Sequence, residues 1–250
     1  MRLFIALAFG LLIAPLVSAP ASALDIDNMS AEERAIFREE VRAYLMDNPQ
    51  VIMDAVQVLE QRQQQAQAQA DLTLVSDNGS ALFDDGYSWV GGNPDGDITL
   101  VEFLDYRCGY CRRAHSEVAQ LLETDGNIRL IVKEFPILGE QSVLASRFAI
   151  ATRHVAGDEA YKDMNDALMT FSGDFNMRNL RRLGNSLALD VTAIEEAMGS
   201  DQVDQEINQT RALAQRMRIQ GTPTFVVQDE LLRGYLPFDQ MLQVVREKRG

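Results

Sequence analysis

Cys108 and Cys111, in the run Cys108-Gly109-Tyr110-Cys111, are the only cysteines of a 250-residue chain. Two thiols at this spacing can close a short disulfide, hold a soft metal ion, or cycle between dithiol and disulfide. A structural bridge over so short a loop constrains the unfolded chain little. Two cysteines do not suffice for a disulfide framework or for a four-thiolate zinc or iron–sulfur site. Redox cycling needs one sulfur to be a ready thiolate, the species that attacks a disulfide. A helix N-terminus favours that species, through its unpaired N–H groups and its dipole. The residues before the pair, Ile98–Leu104, are β-branched, aliphatic or aromatic apart from Glu102, and read as a buried strand; residues 112–123 read as a helix. This junction puts Cys108 at or beside a helix N-terminus and Cys111 one turn inward. Cys108 is therefore the expected nucleophile, and Cys111 the more buried resolving thiol that releases a mixed disulfide.

Glu102 is an acid in an otherwise apolar strand, six residues before Cys108. A buried carboxylate is costly unless paired or protonated. Proton transfer to and from Cys111 would give it a purpose; an ion pair with Lys133 on the neighbouring strand is the structural account, and the two are compatible. His115 lies one helical turn beyond Cys111, and His154 has no motif around it. Two thiolates would suit Cu(I), but no methionine directly precedes the pair and neither histidine is marked as a ligand, so no metal site is assigned. The ten methionines are scattered over helical faces and read as core.

The elements that must position these residues can be placed by pattern. Gly91 to Asp97 is a dense turn cluster, the strand Ile98–Leu104 follows, then the helix, then a second apolar strand over 128–135 closed by Pro136. Strand–helix–strand is the unit of a parallel sheet. Residues 140–217 read as almost entirely helical. Gly221-Thr222-Pro223 interrupts, Thr224–Val227 is a strand, a turn at 228–230 returns through 231–233, and 238–248 closes as a helix. Upstream, Ser30-x-x-Glu33 is a capping box opening an amphipathic helix with Ile36, Phe37, Val41, Tyr44 and Leu45 on one face. Asn48-Pro49 breaks it, and a second helix carries Val51, Ile52, Ala55, Val56 and Leu59 into a Gln/Ala tract that reads as a solvated helical linker. The apolar stripes need a partner, either the main domain or another copy of the chain.

At the amino terminus, Arg2, an apolar stretch to Val17 and the small residues ending Ala21-Ser22-Ala23 have the layout of a cleaved secretory signal, with cleavage after Ala23. The compact layout points to the periplasm, and no later run is long and apolar enough to span a bilayer. The net charge of −14 argues against a nucleic-acid partner. Hydrophobic content of 46% and charged content of 24% exclude wholesale disorder. The expected domains are 1–23, signal peptide; 24–74, helical segment; and 75–250, the catalytic domain.

Val101-Glu102-Phe103-Leu104-Asp105-Tyr106-x-Cys108-x-Tyr110-Cys111, with Lys133-Glu134-Phe135-Pro136-Ile137-Leu138-Gly139 and Gly221-Thr222-Pro223-Thr224-Phe225, resembles the DsbA-like branch of the thioredoxin superfamily over residues 75–248. The resemblance implies an α/β, thioredoxin-like fold with an α-helical insertion at about 140–217, plus an N-terminal helical segment. It implies a cis Thr222–Pro223 bond packed against the cysteines, with the Thr222 backbone, Gly109 and Tyr110 meeting substrate. Gly109-Tyr110 and Thr222 resemble DsbC-type disulfide isomerases, whereas DsbA-type oxidases have a histidine where Tyr110 stands. The N-terminal helices resemble those of ScsC-like and Com1-like proteins, some of which oligomerise through them. The implied function is an exported thiol–disulfide oxidoreductase that exchanges or isomerises disulfides, with net dithiol oxidation and copper tolerance through the same cysteines as alternatives. No cofactor is implied beyond the redox-active Cys108–Cys111 pair. The implied partners are unfolded or misdisulfided exported proteins, a membrane thiol–disulfide partner that resets the pair, and further copies of the chain through residues 24–71. A holdase needs neither the cysteine pair nor Thr222-Pro223.

Overall fold

The computed structural model describes residues 26–250; the apolar leader and the cleavage site expected after Ala23 lie outside the described residues. The chain forms two compact units, one ending at Glu60 and one spanning Gln61 to Gly250.

In the first unit, α1 (Ala31–Asp47) opens on the expected capping box. Glu33 N–H donates to Ser30 Oγ at 3.3 Å, and Ser30 N–H donates back to Glu33 Oε2 at 2.8 Å. Asn48 ends the helix, its backbone and side-chain N–H groups both donating to the Tyr44 carbonyl. Past Pro49 the chain starts α2 (Gln50–Asp77), and the Gln/Ala tract is exposed helix, as its composition requires. Ile36, Phe37, Val41, Tyr44, Val51, Ile52, Val56 and Leu59 are all exposed, and α1 buries no residue.

In the second unit, α2 runs to Asp77 and is followed by α3 (Gly79–Phe83), β1 (Trp89–Gly92), β2 (Ile98–Leu104), α4 (Gly109–Asp125) and β3 (Ile128–Glu134). Next come α5 (Glu140–Thr170), α6 (Met177–Ser186), α7 (Val191–Met198) and α8 (Asp201–Arg216), then β4 (Thr224–Val227), β5 (Glu230–Arg233) and α9 (Phe238–Arg249). The five strands form one sheet in the order β1-β3-β2-β4-β5, with β2 and β3 parallel and the other neighbours antiparallel. This is the thioredoxin-like arrangement, with α5 to α8 as the helical insertion. The short edge strand β1 replaces part of the turn cluster read at Gly91 to Asp97; its two glycines hide the strand pattern in the sequence.

Strand alternation divides the core in two. Leu100 and Leu104 of β2 face α4, α9 and the insertion, packing with Cys111, Val118, Leu121, Phe148 and Phe225. Val101 and Phe103 point the other way, against Val75, Leu82, Leu213 and Met217. A fully buried side chain such as Phe103 is worth roughly 1.5–3 kcal/mol of burial, so both faces are committed and the register has no slack. Helix α4 ends at Gly126, whose φ of 71° takes the left-handed conformation that returns the chain to β3. Among the described residues no helix is long and apolar enough to cross a membrane.

Candidate functional site: a dithiol at a strand–helix junction

Cys108 is the N-cap of α4. Its backbone N–H donates to Asp105 O at 3.0 Å, and its carbonyl accepts from Arg112 N–H at 3.1 Å, closing the first helical turn. Its sulfur accepts the Cys111 N–H at 3.4 Å and donates to the Thr222 carbonyl at 3.1 Å. Both cysteines are free thiols; Cys108 is 7% exposed and Cys111 fully buried. Their environments drive them apart. The Cys111 thiol as donor, with the Thr222 side chain and the backbone N–H groups at the start of α4, lowers the Cys108 thiol to about 5, against the penalty of burial. Cys111 moves strongly upward, because it gives that hydrogen bond, because it is buried, and because Glu102 lies within electrostatic reach. The first turn of α4 therefore holds one ready thiolate and one reluctant thiol.

Glu102 is buried, and its Oε1 has no hydrogen-bond partner. Burial lifts its carboxyl to about 7, a rise that His115 opposes and that Glu134 and Cys108 reinforce. The expected alternative pairing with Lys133 does not form. In the β2–β3 register Glu102 lies beside Val132 and Phe103 beside Lys133, so the acid and the amine leave the sheet on opposite faces. Lys133 Nζ instead donates to Asp85 Oδ2 at 2.5 Å and to the Ala81 carbonyl at 2.9 Å. His115 pairs with Asp166 at 3.1 Å and His154 with Glu206 at 2.7 Å, and among the described residues no group of three metal-ligating side chains gathers.

The Thr222–Pro223 bond is cis, and Pro223 leads into β4, which pairs with β2 on the side away from β3. Pro223 is buried, while Gly109 and Tyr110 are exposed above the thiols. The Tyr110 ring lies 6.1 Å from that of Tyr235, and the Arg113 guanidinium stands 4.7 Å over the Tyr235 ring. Together these bring the sequence-predicted residues Glu102, Cys108, Gly109, Tyr110, Cys111, Thr222 and Pro223 to one end of the sheet.

Three supports of this site went unremarked in the sequence. Asp105 accepts from Arg107 N–H at 2.8 Å, Ile137 N–H at 2.8 Å, Leu138 N–H at 3.0 Å and Ser142 Oγ at 2.8 Å, tying the cysteine loop to the loop after β3. Arg112 donates to the carbonyls of Tyr106 at 2.8 Å and Phe171 at 2.7 Å. Glu134 accepts from the hydroxyls of Tyr106 and Tyr161, each at 2.6 Å, and burial raises its carboxyl to about 7. The available signal was an acid at the end of an apolar strand, the same signal that marked Glu102.

The chain matches the sequence profile of the DSBA-like thioredoxin domain over residues 99–246, and that of the copper resistance protein ScsC N-terminal domain over residues 33–66. It is similar to a thioredoxin-like oxidoreductase from Silicibacter pomeroyi, with 41% identity, a TM-score of 0.65, and coverage of 68% of this chain and 96% of that one. It is also similar to BcfH of Salmonella enterica Typhimurium, with 27% identity, a TM-score of 0.72, and coverage of 88% and 97%. Among curated sequences it is 25% identical to disulfide bond formation protein D of Bacillus subtilis, over 64% of this chain and 76% of that protein. The chain spans only 21% of the length of another curated relative, the Na(+)/H(+) antiporter NhaA 3 of Salinispora tropica, with 28% identity over 138 residues, 55% of this chain. With the profile covering more than half of the sequence, and with the fold and the dithiol junction in place, the chain belongs to the DSBA-like thioredoxin domain family.

Proposed function

We propose that this chain is an exported thiol–disulfide oxidoreductase that exchanges and isomerises disulfides in other exported proteins. One observation carries the reading: a Cys108 thiol lowered to about 5 at the N-cap of α4, one turn from a buried Cys111 whose thiol is raised. The Cys108 thiolate attacks one sulfur of a substrate disulfide. The substrate S–S bond breaks, a Cys108–substrate disulfide forms, and the other substrate sulfur leaves as a thiolate that takes up a proton. A second substrate thiolate then attacks the mixed disulfide, giving a rearranged substrate and restoring the Cys108 thiolate. Alternatively Cys111, passing its proton to the Glu102 carboxylate, attacks Cys108, so that substrate leaves reduced and the Cys108–Cys111 disulfide forms. A membrane thiol–disulfide partner would reset the pair. Thr222, with Pro223 and the exposed Gly109 and Tyr110, would form the surface on which substrate lies.

Net dithiol oxidation is the second reading, and the low Cys108 thiol favours it, since a better leaving thiolate makes a more oxidising disulfide. Isomerisation is supported by the apolar faces of α1 and the start of α2, which suit assembly of several copies around one substrate. The copper in the description of the ScsC N-terminal family adds nothing to the cysteine site, because the matched residues 33–66 contain neither cysteine nor histidine. The test is a pair of substitutions assayed on scrambled and on reduced substrates. Cys108→Ala should abolish exchange, and Cys111→Ala should accumulate a Cys108–substrate disulfide visible as added mass without reductant. Activity surviving in Cys108→Ala would overturn the reading.

A further inference from the structure

The groove beside the cis-proline carries a charge pattern that thiol chemistry does not itself require. Its volume is about 200 Å³, and its lining includes Thr222, Pro223, Arg218 and Arg233 but no carboxylate. Thr222 joins the groove to the thiol, its carbonyl accepting from Cys108 Sγ at 3.1 Å. A peptide delivering a sulfur to Cys108 spans up to about 3.6 Å per residue, so the residues next to its cysteine are within reach of this groove.

The two arginines are held differently. Arg233 ends β5 opposite Thr224, and its guanidinium donates to both oxygens of Asp71, at 2.6 and 2.9 Å. Its charge is matched within the protein. Arg218 is exposed and follows α8 with a φ of 54°, a left-handed conformation that is costly for a residue other than glycine. Its N–H donates to Gln215 O at 3.1 Å, and the next N–H, of Ile219, donates to Ala214 O at 2.8 Å, so the turn that presents Arg218 is fixed. Asp71 is also the carboxylate that senses Arg218. Two cations thus share one carboxylate, and the lining of the groove itself carries both arginines and no acid, in a chain of net charge −14.

We propose that this groove is a subsite for an acidic side chain, Asp or Glu, flanking the substrate cysteine, with Arg218 as the cation that selects it. The proposal rests on the thiol–disulfide reading of Cys108 and deepens it. The opposite sign of the whole chain makes the groove selective, because an acidic segment gains attraction only when seated within a Debye length of Arg218.

The experiment measures second-order rate constants for the reduced full chain with disulfide-linked homodimers of two blocked peptides, identical except for Asp or Lys on either side of the cysteine. Each protein is normalised to its rate with the neutral bis(2-hydroxyethyl) disulfide. The wild type should prefer the Asp peptide, and Arg218→Glu should lower the Asp-to-Lys ratio about ten-fold, the combined effect of attractions lost and repulsions gained. The wild-type preference should shrink with added salt. Arg178→Glu, an equal charge reversal at an exposed position on α6, should leave the ratio within about two-fold of the wild type, so that net charge alone is separated from the groove. Equal wild-type rates for the two peptides, a ratio unmoved by Arg218→Glu, or an equal shift in Arg178→Glu would each overturn the subsite. A wild type that fails to react even with the neutral disulfide would instead overturn the thiol reading beneath it.

Discussion

At the scale of single residues, the site is an asymmetry imposed on two identical thiols. Cys108 meets the N–H groups that open α4, whereas Cys111 meets burial and a neighbouring acid. In the reduced protein, thiolate absorbance should titrate with a midpoint near pH 5 and vanish in Cys108→Ala. The linked stability has a definite sign. A thiol depressed in the folded state adds stability that is fully present above the ordinary thiol pKa and lost as pH falls through about 5. The reduced form should therefore gain stability over the oxidised form as pH rises from 5 to 8.5, a gain that thermal melts of both forms would register. Glu102 works in the opposite sense. Its carboxyl is raised to about 7 by burial, so its contribution is fully present below the ordinary carboxyl pKa and lost as pH rises through 7. Glu102→Gln should raise the melting temperature by several degrees at pH 8, change it little at pH 4, and slow release of the mixed disulfide by Cys111 at pH 7 about ten-fold. The placement of both cysteines and Glu102 at one junction was legible because residue type and spacing mark them. The partner of Lys133 was not, because which face a side chain takes depends on inter-strand register, and Asp85 belongs to a loop before the edge strand.

At the scale of elements, strands β2 to β5, the long helices and the insertion were readable because apolar periodicity and turn residues coincide with them, whereas the glycines of β1 hid that strand. The joints between them were not. Asp105 belongs to the cysteine loop, yet its partners Ile137, Leu138 and Ser142 lie more than thirty residues onward, beyond the reach of any local pattern. Asp105→Ala would leave three backbone N–H groups and one hydroxyl without their acceptor. It should cost about 3 kcal/mol of stability in chemical denaturation. The loosened loop should also raise the Cys108 pKa, read by the same thiolate titration. Glu134 similarly ties the end of β3 to Tyr106 of the cysteine loop and to Tyr161 of α5, so the insertion reaches the dithiol through hydrogen bonds as well as packing.

At the scale of the whole molecule, the two units differ in what they bury. The second encloses both faces of its sheet, while the first exposes one apolar side chain after another along α1 and the start of α2. Assembly through the first unit predicts an oligomeric mass for the chain in sedimentation, and a monomer when residues 24–60 are deleted. A cut at 60 rather than 71 keeps Asp71, which the second unit uses to hold Arg233. Unchanged mass on deletion would remove the arm from assembly. The buried Lys133–Asp85 pair sets how the chain's amines react. The chain has three lysines, Lys133, Lys162 and Lys248, and Lys133 alone has no exposed side-chain surface. An amine-acylating reagent should mark Lys162 and Lys248 in the native state, and reach Lys133 only when the back of the sheet opens. Intact-mass counting of acyl groups thereby becomes a clock for global unfolding that can be read in the reduced and the oxidised chain alike, because it does not use the thiols.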